Sequence, residues 1–229
     1  MAAFGVITGF VPFMLQAQPA GGLFTPNASF NSTNRLVSVS VFQWFSASGG
    51  QLTGPWRPVE GRSNWTGTTN FWRAQIKQMM AANFDMLYVH LIPSSESQRV
   101  NLFLALNQLR REGWNVPKVA PFLDPMITWN QQPLVDVSTA AGKDTFVNQY
   151  IRWFNQYYSV NQDPYADHYL AQINGRPILD TWHVKFNLSN FTSLTRADVE
   201  ARLTNAFAGH RLFTNGVYLV TTALNDPTF

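Results

Sequence analysis

At 229 residues, with 45% apolar and 13% charged residues, the chain has enough apolar length for a substantial core, which excludes a disordered protein. The net charge of +3 arises from 16 Lys and Arg against 13 Asp and Glu, and the densest basic run is only Arg110-Arg111, so no stripe for nucleic acid is present. Cysteine is absent, which removes both a disulfide framework and thiolate chemistry.

Residues 4–15 are a nearly continuous apolar run followed by small residues. This reads as a signal peptide over 1–20, although no Lys or Arg precedes it. The run is too short for a membrane span. Residues 21–35, rich in Gly, Asn, Ser and Thr, read as a linker. The expected location is secreted or periplasmic. From residue 36 a pattern begins and repeats. Residues 36–45 (LVSVSVFQWF) are rich in β-branched and aromatic residues and predict a strand. After a Gly-, Pro- and Trp-rich loop, Trp72, Ile76, Met79 and Met80 fall on one face of a helix over 70–83. Residues 86–92 (MLYVHLI) suit a strand buried on both faces. A helix follows over 100–112, with Gly113 as its stop. Residues 118–123 (KVAPFL) are the third strand, and 143–159 the clearest helix. The turn Asn174-Gly175-Arg176 introduces a fourth strand over 177–184. Thr195 caps a fourth helix, and 216–222 (GVYLVTT) is the fifth strand.

Strand and helix alternate with crossovers long enough for parallel pairing, so the fold is α/β with a parallel sheet. Two features favour a (β/α) barrel of TIM type over an open sheet. The long, chemically rich loops follow strands, and no Gly-rich phosphate turn follows the first strand. A full eight-unit barrel takes about 250 residues. Only about five units are legible here, so the expectation is an incomplete barrel domain over 36–229.

In either arrangement the working site lies at the C-terminal ends of the strands. Those ends carry Gln43 and Trp44, His90, Asp124, then Asp180, Trp182 and His183, with Thr221 and Thr222 last. Asp124 ends an apolar run and precedes Pro125, where a carboxylate either caps the turn or meets a ligand. Asp180 lies inside an apolar strand and requires a partner. Two carboxylates on neighbouring strands are the minimal equipment for glycoside hydrolysis. Trp44, Trp56, Trp65, Trp129 and Trp182, at strand ends or in loops after strands, suit stacking on sugar rings or packing small loop cores. His90 and His183 are either hydrogen-bond donors to a ligand or packed imidazoles. No His-x-His or His-Glu-x-x-His spacing supports a metal, and no nucleotide motif occurs, so no cofactor is expected.

Gln43-Trp44-Phe45, then Trp72-Arg-Ala-Gln-Ile76, then Lys118-Val-Ala-Pro-Phe-Leu-Asp-Pro125, then Asn174-Gly-Arg-Pro-Ile-Leu-Asp180 follow in order. This order resembles the glycoside hydrolase family 99-like group of (β/α)8 barrels over roughly residues 36–222. In that group the third strand ends in an acidic residue plus Pro, and an Arg-Pro segment opens the fourth. Its characterised members usually carry Glu where this chain has Asp124. Their paired catalytic carboxylates lie past the fifth strand, and nothing in this sequence matches them. The resemblance implies a carbohydrate substrate, Asp124 as a substrate-site residue and an N-terminal portion of a longer enzyme-like domain. The expected catalytic residues are Asp124 and Asp180; the expected sugar-binding residues are Gln43, Trp44, His90, Trp129, Trp182 and His183. The alternative is a non-catalytic carbohydrate-binding protein on the same scaffold.

Overall fold

The computed structural model describes residues 29–45, 61–91, 96–124, 134–162, 166–182 and 188–222. The leader-like residues 1–20, and Trp56, Trp129 and His183, lie outside the described residues.

The chain is an α/β protein with a mostly parallel sheet. β1 (Ser38–Val41) pairs in parallel with β2 (Met86–Leu91), and β2 with β3 (Lys118–Leu123). β3 pairs with β6 (Arg176–Trp182), and β6 with β8 (Tyr218–Thr222). The connections carry α1 (Thr69–Ala81), α2 (Glu96–Arg111), α3 (Ala140–Asn161) and α4 (Arg196–Ala206) in turn. Neighbouring long strands are thus neighbours in the βα order of the chain. Among the described residues no helix is long and apolar enough to cross a membrane.

Element ends differ from the sequence expectation in instructive ways. The first strand is only four residues long, because Phe42 turns the chain and its carbonyl accepts from the Phe45 N–H at 3.1 Å. Asn174 and Gly175, both at positive φ (50° and 73°), do more than introduce a strand. They form a two-residue hairpin that adds the antiparallel strand β5 (Gln172–Ile173) to β6. Phe30 bridges to Ile173, and Ser29 Oγ accepts from the Gly175 N–H at 2.7 Å, so residues 29–30 of the segment read as a linker are tied to this sheet. The short parallel pair β4 (Val135–Asp136) and β7 (Leu188–Ser189) has no period-2 signal and was not legible in the sequence.

The two faces of the sheet differ. Leu87, Val89 and Leu91 of β2, Val119 and Leu123 of β3 and Leu179 of β6 enter one core with residues of all four described helices, Trp72 and Trp153 among them. Adjacent helices in the chain pack on one another. The alternate residues Met86, Ala120 and Ile178 form a second cluster with Tyr88, Tyr218 and Val220, and none of the four described α-helices contributes to it. Trp65 joins the helix-side core, its ring 4.7 Å from that of Phe71, so it serves packing there.

Gly113 at φ 98° ends α2 as the sequence requires. Thr195 caps α4 in a reciprocal box. Its Oγ1 accepts from the Asp198 N–H at 3.2 Å, and the Asp198 carboxylate accepts from the Thr195 N–H at 3.0 Å. The Lys143 ammonium, 2.8 Å from Asp198 Oδ2, is the main reason the carboxyl is held down to about 2. Thr195→Ala is expected to cost about 1 kcal/mol in urea denaturation, with Thr195→Ser close to wild type.

Candidate functional site

Period-2 alternation decides which strand residues reach the helix-free face. In β2, Leu91 and Val89 enter the helix-side core, which leaves His90 and Tyr88 for the other side. In β6, Thr181 faces α3, where its hydroxyl meets that of Tyr150. Asp180 therefore shares the helix-free face with Ile178 and Trp182. The register completes a row. His90 lies beside Phe122, Phe122 beside Asp180, and Asp180 beside Val220. Phe42, just past β1, extends the row, with its ring 5.0 Å from that of His90.

His90 is 1% exposed and held from two directions by the segment after β1. Gln43 Nε2 donates to the His90 carbonyl at 2.6 Å, and Trp44 Nε1 donates to His90 Nδ1 at 2.9 Å. A ring nitrogen that accepts carries no proton, so this imidazole is neutral with its N–H on Nε2. Burial, and then the Arg99 guanidinium from α2, push it down to about 4. The rings of Phe42 and Phe122 close on it at 5.0 and 5.4 Å.

Asp180 is 6% exposed, and its Oδ1 is buried without a hydrogen-bond partner. Burial pushes the carboxyl up to about 6, against the Thr181 backbone N–H, which lowers it. Burial, and then the Asp180 field, raise the Tyr88 hydroxyl to about 12. From the helix side Tyr150 donates to the Asp180 carbonyl at 2.9 Å and anchors the strand.

The other expected residues fall around this row. Asp124 follows β3, two residues beyond Phe122, and is half-buried. Trp182 is half-buried with its ring 5.9 Å from that of Phe122. Gln43 is fully buried, and its amide N–H is engaged by the His90 carbonyl. Among the described strand residues, the cations of this face lie at the opposite strand ends. Lys118 sits over the Phe30 ring at 4.5 Å, and Arg176 over the Tyr218 ring at 5.3 Å. Among the described residues no group of three or more His, Asp or Glu is placed to hold a metal ion.

Phe42, Tyr88 and Phe122 were absent from the sequence-based set. Counting by two from His90 and from Asp124 along their strands finds Tyr88 and Phe122, whereas Phe42 is placed by a turn that the sequence pattern did not reveal. Chemically, the row combines an acid poised near neutrality, a neutral N–H donor and an aromatic wall. Comparison with family models, with curated proteins and with solved structures finds no match.

Proposed function

We propose that this chain has the βα arrangement of a (β/α)8-type barrel and that it serves a glycoside hydrolase-like protein acting on a glycan. Strand order that follows the βα order of the chain, with the described helices on a single face, supports the barrel part. A doubly wound sheet reverses its strand order and carries helices on both faces. In a barrel the helix-free face is the interior and the strand C-termini are its working rim.

The observation that carries the functional part is Asp180, a buried carboxyl with a bare oxygen, raised to about 6 among aromatic rings. Such a group is an acid matched to protonating a leaving oxygen near neutral pH. Asp124, on the neighbouring strand end, is the second carboxylate. His90 donates from Nε2 to a sugar oxygen, Trp182 offers a ring to the C–H face of a sugar, and Gln43 and Trp44 hold His90. Trp129 and His183 belong to the same proposed rim on their sequence positions, and a secreted or periplasmic destination accompanies the reading.

The test is a panel of polysaccharides and oligosaccharides, followed by reducing-end release and by calorimetry. Turnover is expected, and it falls as pH rises through about 6, because the acid form of Asp180 is lost there. Binding without release at any pH favours the non-catalytic carbohydrate-binding protein. Neither binding nor release with any glycan overturns both.

A further inference from the structure

We propose that Trp44 is a positioning residue whose indole N–H locks His90 as a neutral Nε2–H donor, and that the rim consequently selects uncharged glycans over acidic ones. The inference deepens the glycan reading above and rests on it for the choice of ligand.

The lock is geometric. Trp44 Nε1 has one proton and no lone pair to offer, so at 2.9 Å it demands a bare Nδ1. Protonating His90 on that nitrogen sets two N–H groups against each other. The enclosure leaves no escape, since Phe42 and Phe122 pack on the imidazole. The groups around the ring agree. The segment after β1 and strand β3 present aromatic rings to it. α2 brings the Arg99 guanidinium, which opposes a second positive charge, while its Nε donates to Gln156 Oε1 at 2.8 Å. Asp180 lies one strand further on, with Phe122 between the two.

Selectivity follows from charge. The strand ends on this face present Asp180 and Asp124, and the imidazole stays uncharged. Among the described strand residues of this face, the cations Lys118 and Arg176 are at the far strand ends over Phe30 and Tyr218. A uronate or sulfated sugar would bring a second negative charge to a buried carboxylate, and Arg99, the cation that reaches His90, is already paired with Glu96 at 3.8 Å. A hydroxyl accepts from Nε2–H at no such cost.

The experiment is a long-range nitrogen–proton NMR spectrum of the full chain with labelled histidine, His90 being assigned through His90→Gln. The expected signature at pH 6–7 is a pure Nε2–H tautomer that begins to titrate only below about pH 5. In Trp44→Phe, which keeps a ring, both neutral tautomers are expected and the midpoint rises by about one pH unit. A cationic or Nδ1–H His90 in the wild type overturns the lock, as does an unaltered tautomer in Trp44→Phe. Calorimetry then compares a neutral oligosaccharide with a uronate oligomer of equal length. At least a tenfold preference for the neutral one is expected, and equal affinity overturns the selectivity. If no glycan binds while the tautomer is as expected, the glycan reading and the selectivity both fall and the Trp44–His90 lock is supported.

Discussion

Asp180→Asn is expected to stabilise the protein at neutral pH while it removes glycan turnover. The carboxyl rises from 3.8 to about 6 on folding, and its main cause is burial. A group raised in this way favours the folded state fully below its unfolded value and loses that contribution as pH climbs through the folded value. Wild-type stability therefore declines between about pH 4 and 6, and above that window the folded protein carries a buried charge with a bare oxygen. That rise corresponds to roughly 3 kcal/mol. Asparagine is nearly isosteric and uncharged, so the variant should gain up to about 3 kcal/mol at pH 8 and almost nothing at pH 3.5. Urea denaturation at the two pH values measures this directly. A variant less stable than wild type at pH 8 would mean that the carboxylate has a stabilising partner and is structural. Stability gained together with activity lost is the mark of a residue kept for chemistry.

Gly142→Ala is expected to run against the helix-propensity rule. In an ordinary helix alanine is favoured over glycine by about 1 kcal/mol. Gly142 lies in the first turn of α3, where its N–H donates to the capping Thr139 Oγ1 at 3.0 Å. A methyl group at this position would stand 1.8 Å from the Asp136 backbone oxygen. That oxygen cannot swing aside, because it accepts from Thr139 Oγ1 at 2.9 Å and the Asp136 side chain holds the Ser138 N–H at 2.9 Å. The clash is with backbone, so relief requires α3 to move away from β4. A loss of about 2–3 kcal/mol is expected. Ala141→Gly, at the exposed neighbour, should cost about 1 kcal/mol in the same denaturation experiment. If Gly142→Ala proves stabilising, the seat of α3 on β4 is not as described. The consequence reaches the site, because α3 spans the crossover between the strand that precedes Asp124 and the strand that bears Asp180.

The alternation of strand and helix was legible because each signal is local. Apolar residues recur at helical spacing along α1 and α3, short apolar runs mark β2 and β3, and Thr195 and Gly113 announce helix ends. The same locality limited the boundaries. Phe42 to Phe45 have strand composition, yet they turn, because Gln43 and Trp44 hydrogen-bond across to His90 and pull the segment off the strand axis. The pair β4–β7 depends on residues more than fifty positions apart and leaves no periodic trace.

At the site, residue types and strand ends sufficed to nominate His90, Asp124, Asp180, Trp44 and Trp182. Their chemistry was not legible, because a pKa belongs to an environment rather than to a residue. Asp180 could equally have been a carboxylate paired with a neighbour. Register places it between Phe122 and Val220, and that burial raises it. His90 could equally have been an exposed base. An indole from another strand's end makes it a neutral donor. The order of elements and the list of polar strand-end residues are thus properties of the chain read locally. Which face each residue meets, which atoms lack partners and which protonation state prevails were decided by packing, since desolvation and hydrogen-bond geometry exist only once distant segments are brought together.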